Sequence, residues 1–548
     1  MHFRLNFVFV RNTIFLLALT GLLACGHRKA DSGNKAVFRI NLSSGSLESL
    51  DPAYAKDLYT IWTAHAIYNT LVEVDSAGNL QPSLAMRWEA SDNGLSWKFH
   101  LRNDVFFQDN AVFPGGKGRR MTAADVVYSF RRILNPATAS SGAWIFNDRV
   151  DTTRPFEAPD DSTFILYLQK PFAPLPALLS MAYCGIVPHE AAEKWGKDFR
   201  RHPCGTGPFQ YAAWEEGSAL ILYRNPNYWE RDPSGNPLPY LDAVQYSFYD
   251  SKATEFLLFL QGKLHFVNNI DGSFKDLVLR KDGVVKPEFR DQFQLRQGGY
   301  LNTEYLGILV DTTNELLQGS ALRHRLVRRA IGFAIDREQI RRYFRNGLVV
   351  AATGGFIPPG LPGASDAPDW AFAYNPQKAA ALLKEAGFPG GKGLPPVTIQ
   401  TPDNYLDIVQ FVANQLAEIG IRARPEVLQP NILRQQMSLS KSALFRAQWI
   451  ADYPDAETYL AFFYSPLPAP PNYTRFHNSQ FDRWYQTAVT LPDSQRYVLY
   501  RKMDSLALQE APVIPLFYDR LNHFLRPNVQ GFTSDPMNTI DLRRVRLN

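Results

Sequence analysis

The stretch "NYLDIVQFVANQLAEIGIRARPEVLQ", residues 404–429, changes period part-way along. Up to Ile421 its apolar residues recur at helical spacing, Gly420 stops the helix, and "IRARPEVLQ" (421–429) continues as a strand. The same alternation extends outward. "NPQKAAALLKEAGF" (375–388) offers Asn375 as cap, Pro376 at the first helical position and Gly387 at the end. "TAADVVYSFRRIL" (122–134) opens with Thr122 as N-cap and Asp125 three residues on. "LSWKFHLR" (95–102), after the turn residues Asp92-Asn93-Gly94, reads as one strand of a hairpin. "DLYTIWTAHAIYNTLV" (57–72) has helical periodicity and "AVFRINL" (36–42) alternates as a strand does. Helices interleaved with strands along the whole chain predict an α/β fold.

The chain opens with Arg4 and Arg11 before an apolar run, Thr13 to Ala24. A membrane span needs roughly 20 apolar residues, so this run is too short and fits a secretory signal peptide over 1–24. Leu22-Leu23-Ala24-Cys25 resembles the bacterial lipobox, which implies acylation of Cys25 and anchoring to a membrane. Residues 25–35 are polar, as a tether should be. The expected location is outside the cytoplasmic membrane, lipid-anchored and facing the periplasm or the cell exterior. About 520 residues remain after processing, more than a single core holds, so two or more domains are expected.

Loss of Arg4 and Arg11 lowers the formal charge from +5 to +3, nearly neutral for a chain of this length and unlike a nucleic-acid binder. The one basic concentration, "RHRLVRRAIGFAIDREQIRRYF" (323–344), lies on a helix whose apolar face holds Leu326, Val327, Ala330, Ile331 and Ala334. Its arginines are expected on the solvated face. In an oxidising compartment Cys184 and Cys204 are expected to pair as a disulfide.

Enzyme motifs are absent or incomplete. "HEAAE" (189–193) lacks the second His of a zinc helix. The two "GGKG" stretches (115–118 and 390–393) lack the Ser/Thr that follows Lys in a phosphate loop. No G-x-S-x-G elbow occurs and the histidines have no metal-ligand spacing, so neither catalysis, metal nor cofactor is expected.

Several stretches, in order, resemble one family: the extracellular solute-binding proteins of the oligopeptide/dipeptide type (family 5), the binding components of ABC importers. They are "SLESLDPA" (46–53), "LQPSLAMRWEASDNGLSWKFHLRNDVFFQD" (80–109), "PCGTGPFQ" (203–210), "LILYRNPNYW" (220–229), "VRRAIGFAIDREQI" (327–340) and "AGFPGGKGLPPVTI" (386–399). The resemblance implies a periplasmic-binding-protein-like (type II) bilobal fold of three domains with the ligand cleft between the lobes. Domain I would comprise 36–76, 206–297 and 512–548, domain II the insertion 77–205, and domain III 298–511. Gly298-Gly299 and the prolines at 512 and 515 mark the two crossings, which suits a hinge. The implied function is capture of short peptides and delivery to an ABC permease, by a monomer. Other cargo (an oligosaccharide, a nickel complex, haem) and a surface peptide-sensing receptor use the same fold.

"QWIADYPDAETYL" (448–460) concentrates three acids beside aromatic rings, a pattern open to a metal site, an acid/base pair or a counter-ion. Asp455 and Glu457 fall in a first helical turn, where acids favour the dipole. Asp452 sits at a strand end. It is either one side of a structural salt bridge or, as the matching W-x-A-D-Y segment of oligopeptide-binding relatives implies, the anchor for a ligand's α-ammonium. Trp449 and Tyr453 match that segment as well. Period two leaves Trp449 on the opposite strand face, either in the core or as a pocket wall. Arg446 matches an Arg that some relatives use for the peptide carboxylate. Six residues at ~3.3 Å separate it from Asp452 by roughly 20 Å, which an inward-reaching Arg narrows to about the span of a tripeptide.

Overall fold

The structure, a computed structural model, describes residues 35–42 and 47–548. The expected signal peptide, Cys25 and all but the last residue of the tether lie outside the described residues. Among the described residues no helix is long and apolar enough to cross a membrane.

The opening stretch folds as read. A short turn, Asp403–Tyr405, leads into the helix Leu406–Glu418, Gly420 takes φ +90°, and Ala423–Val427 is a strand. Gly420 is required twice over: its φ is left-handed, and a Cβ there would lie 2.2 Å from the Gly390 carbonyl oxygen. Asn375 caps Pro376–Glu385 by accepting from Lys378 N at 2.8 Å. The backbone N–H of Thr122 donates to Asp125 at 2.8 Å at the start of Ala123–Leu134. Ser96–Leu101 pairs antiparallel with Ala85–Ala90 across the Asp92-Asn93-Gly94 turn.

One large sheet runs through the molecule. Its strands lie in the order 423–427, 397–401, 444–450, 294–308, 513–525, 266–268, 37–42, 243–248, 219–224 and 209–215, with Val349–Ala351 paired alongside 513–525. The two long central strands are antiparallel, and their ladder is broken. From Gly299 to Thr303 the first advances four residues while its partner moves from Arg520 to Tyr518, a bulge that bends the sheet. On one side, Phe524 and Phe293 join Phe256, Phe259 and Val267 in a core. On the other, Val513, Ile514 and Phe517 pack with Tyr305, Ile331, Val409 and Phe462. The molecule thus has two lobes, and the return strand belongs to both. This corrects the boundary expected at 511/512: residues 513–517 are core of the second lobe, and the crossing falls near Arg520.

A separate four-stranded antiparallel sheet (85–90, 96–101, 163–167, 156–160) lies within the 77–205 segment. Its core is aromatic, with Phe130, Phe146, Phe156 and Phe164 at centroid separations of 5.0 to 6.1 Å. Each ring contributes roughly 1.5–3 kcal/mol of burial.

Three expectations are corrected here. The helix read over 57–72 spans Leu58–Ile67. It stops because the Ile67 carbonyl accepts from Gly207 N (2.8 Å) and Gln108 Nε2 (3.0 Å), a close approach allowed by Gly205, where a Cβ would sit 2.3 Å from that oxygen. The arginines of 323–344 are not all solvated. Arg328 is buried and donates to the Glu510 and Ala511 carbonyls, and buried Arg337 donates to Pro515 O at 2.7 Å. Cys184 and Cys204 are free, buried thiols. The Cys184 thiol faces Leu178 O at 3.9 Å and the Cys204 thiol faces Gln108 O at 3.7 Å.

Candidate functional site

Strand Leu444–Ile450 runs antiparallel to 294–308 and carries the chain to the edge of the second lobe, where Ala451 N donates to Leu301 O at 2.9 Å. Asp452 stands just past the strand end. A turn and the short helix Glu457–Leu460 follow. The three acids of this stretch do not converge. Asp455 is buried and accepts from Arg496 at 2.5 Å and from Glu457 N at 2.9 Å, while Glu457 accepts from the Tyr485 hydroxyl. Burial pushes both carboxyls up, with Arg496 opposing it at Asp455 and Tyr485 opposing it at Glu457.

Asp452 alone faces a cavity of about 690 Å³ between the lobes. Its carboxylate meets only the Thr458 hydroxyl, at 3.5 Å, and among the described residues no cation lies within ion-pair distance of it. The side chain is exposed to the cavity, and desolvation by the surrounding walls raises its pKa to about 6. Tyr453 is buried beside it and its ring stands 6.5 Å from that of Trp144, which belongs to the 77–205 segment and is 39% exposed. Tyr183 comes from the same segment, and both Asp452 and Asp57 act electrostatically on its hydroxyl. The 77–205 segment also meets the second lobe directly, where Ala173 N donates to Val489 O at 2.7 Å.

The far wall is built by helix Leu58–Ile67 and the C-terminal segment. Asp57 caps that helix, accepting from Tyr59 N and Thr60 N at 3.1 Å each. Asp535 accepts from Met537 N (2.8 Å) and Thr539 N (2.9 Å), and burial lifts it to about 7. Arg543 is surrounded by Glu73, Glu230 and Asp541. His65 is pushed down to about 4 by burial, with Arg543 adding to the effect.

Arg446 does not reach this cavity, which corrects its expected role as a carboxylate partner. It is buried, ion-paired with the fully buried Glu304 across the 294–308 ladder, and its guanidinium lies 3.1 Å from the Tyr405 ring centroid. Burial pushes Glu304 up to about 7 against the pull of Arg446. Trp449 also turns away: its indole donates to Thr458 O at 2.9 Å and its ring packs on Phe462. Of the four residues read from sequence, Asp452 and Tyr453 line the cavity. Asp57, Trp144 and Tyr183 were missed. A half-exposed tryptophan at a cleft mouth has no signature in a single sequence.

A cavity between two lobes of one bent sheet, with aromatic rings and an acid that has no ion-pair partner among the described residues on its walls, is an arrangement suited to enclosing a small solute. Residues 79–470 match the family described as bacterial extracellular solute-binding proteins, family 5. The glutathione-binding protein GsiB of Salmonella choleraesuis is 26% identical over 496 residues, covering 88% of this chain and 89% of that one. Among solved structures, HbpA2 from Haemophilus parasuis superposes with a TM-score of 0.78 at 23% identity, over 94% of this chain and 100% of that one. DppA from Helicobacter pylori, in complex with the peptide STSA, gives 0.71 at 24%, over 93% and 97%. At such identities the structures speak for the fold.

The chain belongs to the family 5 solute-binding proteins of ABC importers. It is a binding component and not an enzyme.

Proposed function

We propose that this protein captures short peptides with a free amino end outside the cytoplasmic membrane, tethered through Cys25, and hands them to an ABC permease. The observation that carries the reading is Asp452, a carboxylate on the cavity wall with no ion-pair partner among the described residues. An α-ammonium entering a closing, drying cleft needs such a partner, because an unpaired buried charge costs several kcal/mol. The broken ladder, between Gly299 and Thr303 on one strand and Arg520 and Tyr518 on the other, serves as the hinge, and domain closure brings Trp144 and Tyr183 over the ligand. The cavity suits a few residues of extended chain, with water filling the side-chain pockets. The glutathione and peptide cargoes named for the relatives agree with this class of ligand.

Calorimetry on the wild type and Asp452→Asn, with one tripeptide and its N-acetylated form, tests the reading. Asp452→Asn should lose roughly 2–5 kcal/mol for the free-amine peptide, the usual loss on truncating a buried charge pair. The acetylated peptide should bind the wild type poorly and discriminate little between the two proteins. Equal affinity of wild type and variant for the free peptide would remove the counter-ion role and move the cargo toward an uncharged solute.

A further inference from the structure

The charges around the cavity do not balance. Six acids line it (Asp57, Glu73, Asp75, Asp452, Asp535 and Asp541) against three cations; Glu73 and Asp541 are taken up by Arg543, and Asp535, lifted to about 7, is ionised only in part near neutrality. The two arginines are already committed, and the lysine is held only by a weak surface pair. Arg543 is held by Glu73, Glu230 and Asp541, and Arg544 donates to Glu230 at 2.7 Å. Lys56, exposed at the mouth, pairs with Glu48 at 3.3 Å. His65, with its lowered pKa, is neutral at physiological pH.

A free helix N-terminus would welcome an anion, but that of Leu58–Ile67 is filled by the chain's own Asp57. Arg446, expected from the sequence to hold a ligand carboxylate, is neutralised by Glu304 outside the cavity. On the side of positive charge, Asp452 and Asp57 approach Tyr183 from opposite walls, and among the described residues no cation forms an ion pair with either. The Trp144 and Tyr453 rings next to Asp452 add faces on which ammonium or guanidinium groups stack favourably.

Resting on the peptide reading above, we infer that the cleft selects cargo of net positive charge: peptides carrying a basic side chain besides the amino end. Asp57 is the second counter-ion, and anionic peptides, glutathione included, are rejected. Among the described residues no buried, unpaired cation of the cleft awaits a peptide's C-terminal carboxylate, so that group lies in water or is better absent.

The purified protein is titrated by calorimetry at pH 7.5 and low salt with Ala-Lys-Ala, Ala-Ala-Ala, Ala-Glu-Ala and glutathione. Affinity should fall about tenfold per unit of charge in that order, the scale of one charge–charge contact in a half-wet cleft. Glutathione should bind no better than Ala-Glu-Ala. C-terminal amidation of Ala-Lys-Ala should tighten binding. Asp57→Asn retains a competent helix cap, so its Tm should hold while the preference for Ala-Lys-Ala over Ala-Ala-Ala shrinks to about threefold. Equal affinities for the three alanine-flanked peptides, tighter glutathione, or weaker binding on amidation would overturn the charge selection while leaving peptide capture in place. An unchanged preference in a folded Asp57→Asn would overturn the role of Asp57. Failure of every tripeptide to bind would overturn both readings.

Discussion

Acidification should weaken peptide binding through Asp452 by an amount the structure sets. The carboxyl has a pKa of about 6 in the empty cleft. It is therefore about 90% ionised at pH 7 and about 10% at pH 5, while a peptide's α-ammonium, with a pKa near 8, stays protonated throughout. Only the ionised carboxylate attracts the ammonium, so the proton and the ligand compete. The Kd of a neutral tripeptide should rise about tenfold between pH 7 and pH 5. Binding at pH 5.5 should also expel most of one proton into solution. His65 remains neutral across this range. Asp535, at about 7, does titrate within it, but it is bonded to its own loop amides in both states. Asp452→Asn isolates the effect, since its weaker binding should be flat from pH 7 to 5. Calorimetry in two buffers of different ionisation enthalpy reads both the affinity and the proton release. A wild-type Kd that is unchanged at pH 5, or an Asp452→Asn protein with the same pH slope, would refute the reasoning.

Further outcomes follow from the same geometry. Asp452 titrates higher in the folded protein (about 6) than in an unfolded chain (~3.9), so the folded state holds more protons between those values and stability rises as pH falls across that window. Asp452→Asn should accordingly raise Tm at pH 7.5 by differential scanning calorimetry, and a lower Tm would contradict the unpaired carboxylate. Arg446→Met strands Glu304 in the core and should cost about 3–5 kcal/mol in urea unfolding, while the affinity of the folded protein for peptide stays within a factor of three. In a Cys25→Ser form under non-reducing conditions, thiol reagent should count two free thiols after denaturation and almost none before. Both sulfurs are buried, and burial raises the Cys204 pKa to about 12.

The residues that fold were legible where the signal is local. Thr122, Asn375, Gly420 and the Asp92-Asn93-Gly94 turn each carry their instruction within a few positions, and the structure obeys all four. The misreadings share a different cause. Nothing near Arg446 reveals that Glu304, on a strand 142 residues away, neutralises it. Likewise, the end of helix Leu58–Ile67 is decided by Gly205 and Gly207, far along the chain. Cys184 and Cys204 are close enough in sequence to bridge, but their side-chain directions are set by the packing of two different segments. For Asp452 only its place at a strand end is local; the partners that take up its two neighbouring acids, Arg496 and Tyr485, lie 41 and 28 residues further along.

The bent ladder has a mechanical consequence. Strands 294–308 and 513–525 stay bonded to each other on both sides of the break, so the lobes are joined by a ribbon and not by separate cords. A ribbon folds readily across its face and resists shearing within its plane, where its hydrogen bonds would have to stretch. Away from it, Asn346 of the second lobe donates to Asp276 of the first at 2.7 Å, and Lys275 donates to Phe344 O at 3.0 Å. This outrigger lies off the ribbon and opposes twisting about its length. The motion such a ribbon permits most easily is a bend across its face, like a door's swing.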